Sequence, residues 1–319
     1  MTARQAERRR AARMRGLRGL LVVLVACAVG LFFLIVPFRA LLPARALPPR
    51  GEGEMRLHFL SVGQGDCTIV EFPDGDALVV DGGDGSFAAN DALVRYLKGL
   101  DVSSLTLIAT HADADHYAGL TEVLRVFGAE QVYLPVIASS ESAYRRFLDA
   151  VEQEGCRVDT LVRYDVIARP SGAYAVCISP HAAGETDENE ASVALFLYYE
   201  GVRILLSSDM SAVRERALLA ELSLTDAIFD SGEYAVRLRD IDLLKVAHHG
   251  SAGASCAEWL TYLSPATAVI SCGAGNSYRH PSQDTLARLA QVGADVYRTD
   301  ACGNVLVTVS GGGMTVTFA

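Results

Sequence analysis

Residues 111–116 read His-Ala-Asp-Ala-Asp-His, four metal-competent side chains in six positions of a chain that has seven histidines. Carboxylates crowded at that density repel one another, and burying them unpaired is costly. A divalent cation held by carboxylate and imidazole removes that cost. The same residue types return along the chain, each just after an apolar run. Asp81 closes "ALVVD", Asp209 closes "RILLSSD", His248 and His249 close "IDLLKVAHH", and His280 follows "SCGAGNSYRH". Five of the seven histidines fall in these segments. Folds of alternating strands and helices gather ligands outside the carboxyl ends of strands, so these clusters are expected to meet at one site. Two cations roughly 3.5–4 Å apart would supply hydrolytic chemistry at a phosphoryl or carbonyl group without a Ser or Cys nucleophile. Zn or Mn suits such a donor set, and carboxylate oxygen leans toward the harder Mn.

The elements that must position these residues are legible as patterns. Short β-branched runs at 55–62, 67–72 and 76–83, parted by Gly-rich and Pro-Asp-Gly turns, predict strands. Further strands are expected at 105–111 and 131–136, then near 173–179, 192–199, 202–208, 242–248, 267–272, 295–299, 304–309 and 313–318. Helices are expected over 90–99, 117–127, 141–155, 211–223, 255–263 and 282–291. Hairpins mixed with alternating strands and helices predict sheets covered by helices. The seven cysteines are scattered without a CxxC pair, which argues against a zinc-thiolate site. His58, alternating on a strand, reads as a satisfied, partly buried histidine.

The charge is divided unevenly. Residues 1–50 carry a balance of +9 and residues 51–319 a balance of −19. The basic leader at 1–18 precedes twenty uncharged residues at 19–38, about the length that spans a bilayer as a helix. Seven Arg precede this run and three follow it, which predicts a cytoplasmic N-terminus and a single-pass signal anchor. The protein is therefore expected in the cell membrane with its acidic domain outside the cytoplasm. The Pro- and Gly-rich stretch 39–54 reads as a linker and 55–319 as the folded domain. The competing reading is a cleaved signal peptide, with "ARA" at 44–46 as the cleavage site.

Taken in order, several short motifs carry a family likeness. They are Val62-Gly63-Gln64-Gly65-Asp66, Asp81-Gly82-Gly83, the 111–116 run, Asn189 to Ser192, "SSD" ending at Asp209, His248-His249-Gly250-Ser251, and Asn276-x-Tyr278-x-His280-Pro281. Across about residues 55–319 this series resembles the metallo-β-lactamase fold, and within it the ComEC-like competence family. The resemblance implies a four-layer αββα sandwich, here preceded by one N-terminal transmembrane helix. It implies His111 and Asp113 on a first metal, Asp115, His116 and either His248 or His249 (His248 favoured) on a second, and Asp209 bridging the two. Asp115 and His249 take catalytic or substrate-facing roles, and Asp81 orients the ligand loop from behind. Asn189, Ser192, Ser251, Asn276, Tyr278 and His280 are implied around the substrate. Asp66, with Gly63 and Gly65, reads as a tight-turn device.

Two departures stand out. Asp113 replaces the middle His of the commoner H-x-H-x-D-H run. The usual third-motif His is missing, with Asn189 near its place and His181 eight residues earlier. The implied activity is hydrolysis of a phosphodiester, with DNA the family's suggested substrate. The acidic domain argues for a rival, a smaller phosphoester on lipid or cell-wall polymer, since nucleic-acid binders are usually basic. A metal-bearing binding subunit without turnover is the reading that the missing His favours.

Overall fold

The computed structural model describes Met14, residues 18–27, Gly30, Leu41, 43–180, 187–222 and 227–318. Two compact units separate at Leu42 and Pro43. In the first, residues 18–27 are helical and exposed. Residues 28, 29 and 31–38 of the expected membrane span lie outside the described residues. No helix among the described residues is long and apolar enough to cross a membrane.

The second unit starts with β1 (Met55–Phe59), β2 (Thr68–Glu71), β3 (Asp76–Val80), β4 (Ser104–Ile108), β5 (Gln131–Leu134) and β6 (Arg157–Thr160). Then come β7 (Val166–Ala168), β8 (Tyr174–Ser179), β9 (Ala194–Tyr199) and β10 (Val202–Leu206), the small hairpin β11 (Phe229–Asp230) and β12 (Ala235–Val236), and β13 (Leu243–Lys245), β14 (Thr267–Ile270) and β15 (Asp295–Arg298). Finally β16 (Val305–Ser310) and β17 (Gly313–Phe318) return to the first sheet, whose order is β17-β16-β1-β2-β3-β4-β5-β6. The second sheet runs β15-β14-β13-β10-β9-β8-β7.

Burial explains the layering. Residues of β1 are buried on both faces. Leu57, Leu78 and Ile108 of the first sheet share one apolar cluster with Leu195, Ile204 and Leu243 of the second. The outer face of the first sheet packs against α1 (Phe87–Leu97), α3 (Leu120–Phe127) and α4 (Ser142–Glu154), with the one-turn α2 (Ala114–Tyr117) between them in sequence. The outer face of the second packs against α5 (Ala212–Leu222), α6 (Ala257–Leu263) and α7 (Gln283–Gln291); a last turn, α8 (Thr299–Cys302), follows β15. The result is helices, sheet, sheet, helices. A strand buried on both faces stabilises by roughly 25 cal/mol per Å² of apolar surface removed from water, which these two-sided strands use on both sides.

The strands that carry candidate ligands end sooner than their apolar runs predict. β3 stops at Val80, β4 at Ile108, β10 at Leu206 and β13 at Lys245. Three of the four following turns contain a non-glycine residue in the left-handed region, Asp81 (φ 60°), Ser208 (φ 47°) and His248 (φ 48°), and His249 (φ 52°) shares it. Each such residue costs about 1–2 kcal/mol. The turns are held because they bring polar side chains to one place. The expected helix over 117–127 is interrupted where the Gly119 amide donates to the Gly83 carbonyl at 3.1 Å. At Gly119 a Cβ would lie 1.9 Å from the Gly82 carbonyl oxygen, so the Asp81-Gly82-Gly83 turn passes directly against it. The strands at 157–160 and 166–168, the 229–236 hairpin and the turn at 299–302 carry no strong apolar pattern and were not expected.

Candidate metal centre

The strand ends of both sheets meet at Thr110 and Ser208. Ser208 Oγ donates to Thr110 Oγ1 at 2.7 Å, and the Val193 amide donates to the Thr110 carbonyl at 3.0 Å. Thr110 Oγ1 donates to Asp81 Oδ2 at 2.8 Å, and the Thr110 amide donates to Asp81 Oδ1 at 2.9 Å. Asp81 also accepts from His116 Nδ1 at 2.8 Å. It holds the Nδ1 side of the His116 ring, which leaves Nε2 on the opposite side, toward Asp209.

Asp209 is the hub. Its Oδ1 lies 3.4 Å from His116 Nε2, and its Oδ2 lies 3.6 Å from His248 Nε2, 3.7 Å from His249 Nε2 and 4.0 Å from His111 Nε2. Asp115 Oδ2 lies 3.4 Å from His249 Nε2. Asp113 Oδ2 lies 3.5 Å from His111 Nε2, on a side chain 46% exposed. Among the described residues four sets of donor atoms have the mutual spacing of a cation's ligands, among them His111, His116 and Asp209, and Asp115, His116 and His249; two further sets include Asp66.

The donor set fits a divalent cation on its own chemistry. His111 Nε2, His116 Nε2, His249 Nε2 and Asp209 Oδ1 are all buried and have no hydrogen-bond partner. Buried polar atoms are normally satisfied, and these four face a common space. The electrostatics agree. Burial pushes Asp209 up, yet the charges of His116 and His249 hold its carboxyl well below the usual range. Burial pulls His249 down, yet Asp209 and Asp66 raise it to about 10. His116 is raised in the same way by Asp209 and Asp81 against its burial. The acids thus demand positive charge at this spot. The hydrogen bond from His111 brings Asp113 down to about 2, although burial opposes it.

The two adjacent histidines divide differently from the expectation. His249 is buried and faces Asp115 and Asp209, whereas the His248 side chain is 33% exposed and approaches only Asp209 among the candidate ligands. The left-handed turn at 248–249 has no strand alternation to place them. His280 stacks on His248, with ring centroids 5.8 Å apart and 16° between planes, and exposed Tyr278 meets His280 edge-on. Asn276 is taken up within its own loop, donating to the His280 and Gly273 carbonyls and accepting from the His280 amide. Ser251 closes the histidine turn, its amide donating to the His248 carbonyl at 2.8 Å. Ser192 is fully buried beside Val193, with Oγ unpartnered, and Asn189 Oδ1 is unpartnered as well. His181 lies outside the described residues.

Three residues beyond the expected ligands enter the site. Glu188 lies beside Asp113, whose carboxylate raises the Glu188 carboxyl. Asp66, read as a turn residue, is buried with Oδ1 3.3 Å from His249 Nδ1. Lys245, at the end of β13, is buried and ion-paired to Asp66 Oδ2. The glycine beside Asp66 explains the approach. A Cβ on Gly65 would lie 2.4 Å from the Asp115 carbonyl oxygen, to which the Asp66 amide donates at 3.1 Å.

Comparison with known proteins supports this reading of the fold. The family described as Metallo-beta-lactamase superfamily matches residues 60–274. ComE operon protein 3 of Bacillus subtilis (strain 168) is 28% identical over 270 residues, covering 80% of this chain and 33% of that protein. Competence protein ComA of Neisseria gonorrhoeae is 26% identical over 304 residues, covering 92% of this chain and 39% of that protein. The chain thus spans about a third of the length of these relatives. Among solved structures, CmlA, a diiron β-hydroxylase from Streptomyces venezuelae, aligns with TM-score 0.51 and 12% identity, over 82% of this chain and 55% of that one. That likeness concerns the fold alone.

Proposed function

We propose that this chain, which belongs to the metallo-β-lactamase superfamily and groups with its ComEC-like competence proteins, is a metal-dependent hydrolase of phosphodiester bonds. The observation that carries the reading is the convergence of four orphaned buried atoms, Nε2 of His111, His116 and His249 and Oδ1 of Asp209. His111, Asp113 and Asp209 would hold a first divalent cation, and Asp115, His116, His249 and Asp209 a second. His249 here takes the ligand place that the sequence reading assigned to His248. When bound, Zn or Mn supplies the Lewis acidity that activates water and offsets charge developing on a phosphoryl oxygen.

The chain's own groups do the rest. Asp81 fixes the His116 ring through Nδ1. Asp209 ties the two donor sets together. His248, at the open side and stacked on His280, can hold or deliver a proton to a group leaving toward solvent. Exposed Tyr278 forms the outer edge of that wall.

DNA is the substrate favoured by the kinship with competence proteins. The −19 balance of residues 51–319 favours a smaller phosphoester instead, such as a head group of lipid or wall polymer. In the same reading, residues 19–38 anchor the protein in the membrane, with the hydrolase unit outside the cytoplasm. The test is turnover of bis-p-nitrophenyl phosphate, p-nitrophenyl phosphate and DNA by purified full-length protein loaded with Mn or Zn. Diester hydrolysis that exceeds monoester hydrolysis supports the proposal. Stoichiometric metal with no turnover of any substrate would point to the non-catalytic binding subunit.

A further inference from the structure

We infer that Asp66 and Lys245 are a positioning pair for His249, one that fixes which nitrogen faces the cation and keeps Asp66 itself out of the ligand set. The inference rests on the reading that His249 holds a metal.

The choice of residue is the first observation. The chain has 28 basic residues, and only Lys98 and Lys245 are lysine. A chain that uses arginine almost everywhere has placed one of its two lysines in a buried position at the floor of the site. Burying an ammonium is expensive unless it is paired. An ammonium is a compact point charge that can rest on one carboxylate oxygen, whereas a guanidinium needs a planar fork of acceptors. The space is small. A cavity of about 10 Å³, room for one water, lies among Asp66, Asp81, Thr110, Ser208 and Lys245.

The second observation is where the Asp66 oxygens go. Oδ2 pairs with Lys245, and Oδ1 lies 3.3 Å from His249 Nδ1. The Ser271 carbonyl lies 3.0 Å from the same nitrogen. Both neighbours are acceptors, so Nδ1 carries a proton and donates. Nε2 is then the nitrogen left for a cation, and it is the atom that faces Asp115 and Asp209. Asp81 does the same for His116, but Asp81 has Thr110 as its second anchor and Asp66 has Lys245. Outer partners of this kind set ring orientation and ligand basicity.

The third observation gives Lys245 a separate task. Asp66 also has ligand spacing with Asp209 and His249, and with Asp81 and His116. Left bare, it would offer a cation a lower position beneath the proposed one. The Lys245 ammonium occupies that oxygen.

The experiment compares the full-length wild type with Asp66→Asn, Lys245→Met and the double variant. It measures Mn and Co affinity by titration and records the Co absorption spectrum, with circular dichroism to confirm folding. Each single variant is expected to lose about 10- to 100-fold in affinity and to shift the Co spectrum. The double variant, which leaves no uncompensated charge, should recover part of the loss of Asp66→Asn while staying below wild type. If a single variant does not fold, the neutral double variant carries the test. Wild-type affinity and an unshifted spectrum in the folded variants would overturn the pair's positioning role. A wild type that binds no cation would instead defeat the underlying reading of the site.

Discussion

The two halves of the centre are built to different standards. Around Asp115, His116 and His249, every imidazole has a carboxylate behind it. Asp81 backs His116 and Asp66 backs His249, and Lys245 in turn holds Asp66. Around His111 and Asp113 the support is thin. Among the described residues, the hydrogen-bond partner of His111 Nδ1 is the Thr110 hydroxyl at 3.0 Å, and Asp113 is nearly half exposed and lies beside Glu188. The difference teaches that ligand type and ligand support are separate properties. On the proposed two-cation reading, one half would be preorganised before any ion arrives, the other would depend on a loop of carboxylates that an ion must gather, and Asp209 would be shared between them.

The largest effect should come from the shared residue. Asp209→Ala is expected to lower turnover by roughly three orders of magnitude and to remove at least one bound ion per chain, read by elemental analysis. Retention of both would erase the distinction between the halves, since neither would need the hub.

The braced half yields the next prediction. His249→Ala should weaken metal binding by about a hundredfold, the upper end of what loss of even an outer partner costs. His248→Ala should leave metal affinity within about tenfold and act on turnover instead. Titration of both variants with Mn decides between them, and the reverse order would place His248 in the braced set.

The looser half is expected to be adjustable. Asp113→His substitutes a neutral donor for an anionic one and should shift the preference from Mn toward Zn. Asp113→Ala and Glu188→Gln should weaken only the more loosely held ion, each by about tenfold or less. Equal preference and rate in wild type and both Asp113 variants would show that Asp113 is a loop residue.

The smallest effect concerns a scaffold of the braced half. Glu215 on α5 accepts from the Ser255 and Cys256 amides at 2.6 and 2.7 Å, just after the histidine turn. Burial raises its carboxyl from the ordinary 4.5 to about 7, against the pull of those amides. A value raised on folding gives stability that is present below about 4.5 and is lost as pH rises through about 7. The melting temperature of wild type relative to Glu215→Gln should therefore fall over that window. A constant difference between the two would show that Glu215 does not titrate there.

Much of this centre was legible in the residues themselves. Apolar runs ending in His or Asp marked the strand ends, because ligand residues are polar interruptions of an otherwise buried pattern. His111, Asp115, His116 and Asp209 converge as that pattern implies. The choice between His248 and His249 was not legible. Neighbouring residues in a left-handed turn lose the in-and-out alternation that would have separated them. Asp66 was hidden by its glycines, which read as a turn and are one; the close approach of Gly65 to the Asp115 loop is what lets Asp66 reach the floor. Lys245 had no local signal, since its partner lies 179 positions earlier in the chain, on the opposite sheet's loop. Its only mark was its rarity in an arginine-rich sequence. The strands end early for the same tertiary reason: strained turns at Asp81, Ser208 and His248 are held by contacts that local propensity does not record.

The most direct test of the central claim is a chelation and reconstitution cycle on purified full-length wild type, with Asp209→Ala in parallel. Bound metal and hydrolysis of bis-p-nitrophenyl phosphate are measured at each stage. A metal-dependent phosphodiesterase at this site requires that chelation remove the ions and the activity together. Mn or Zn should then restore both in the wild type and neither fully in the variant. Hydrolysis that persists after the metal is gone, or that returns undiminished in Asp209→Ala, would contradict it.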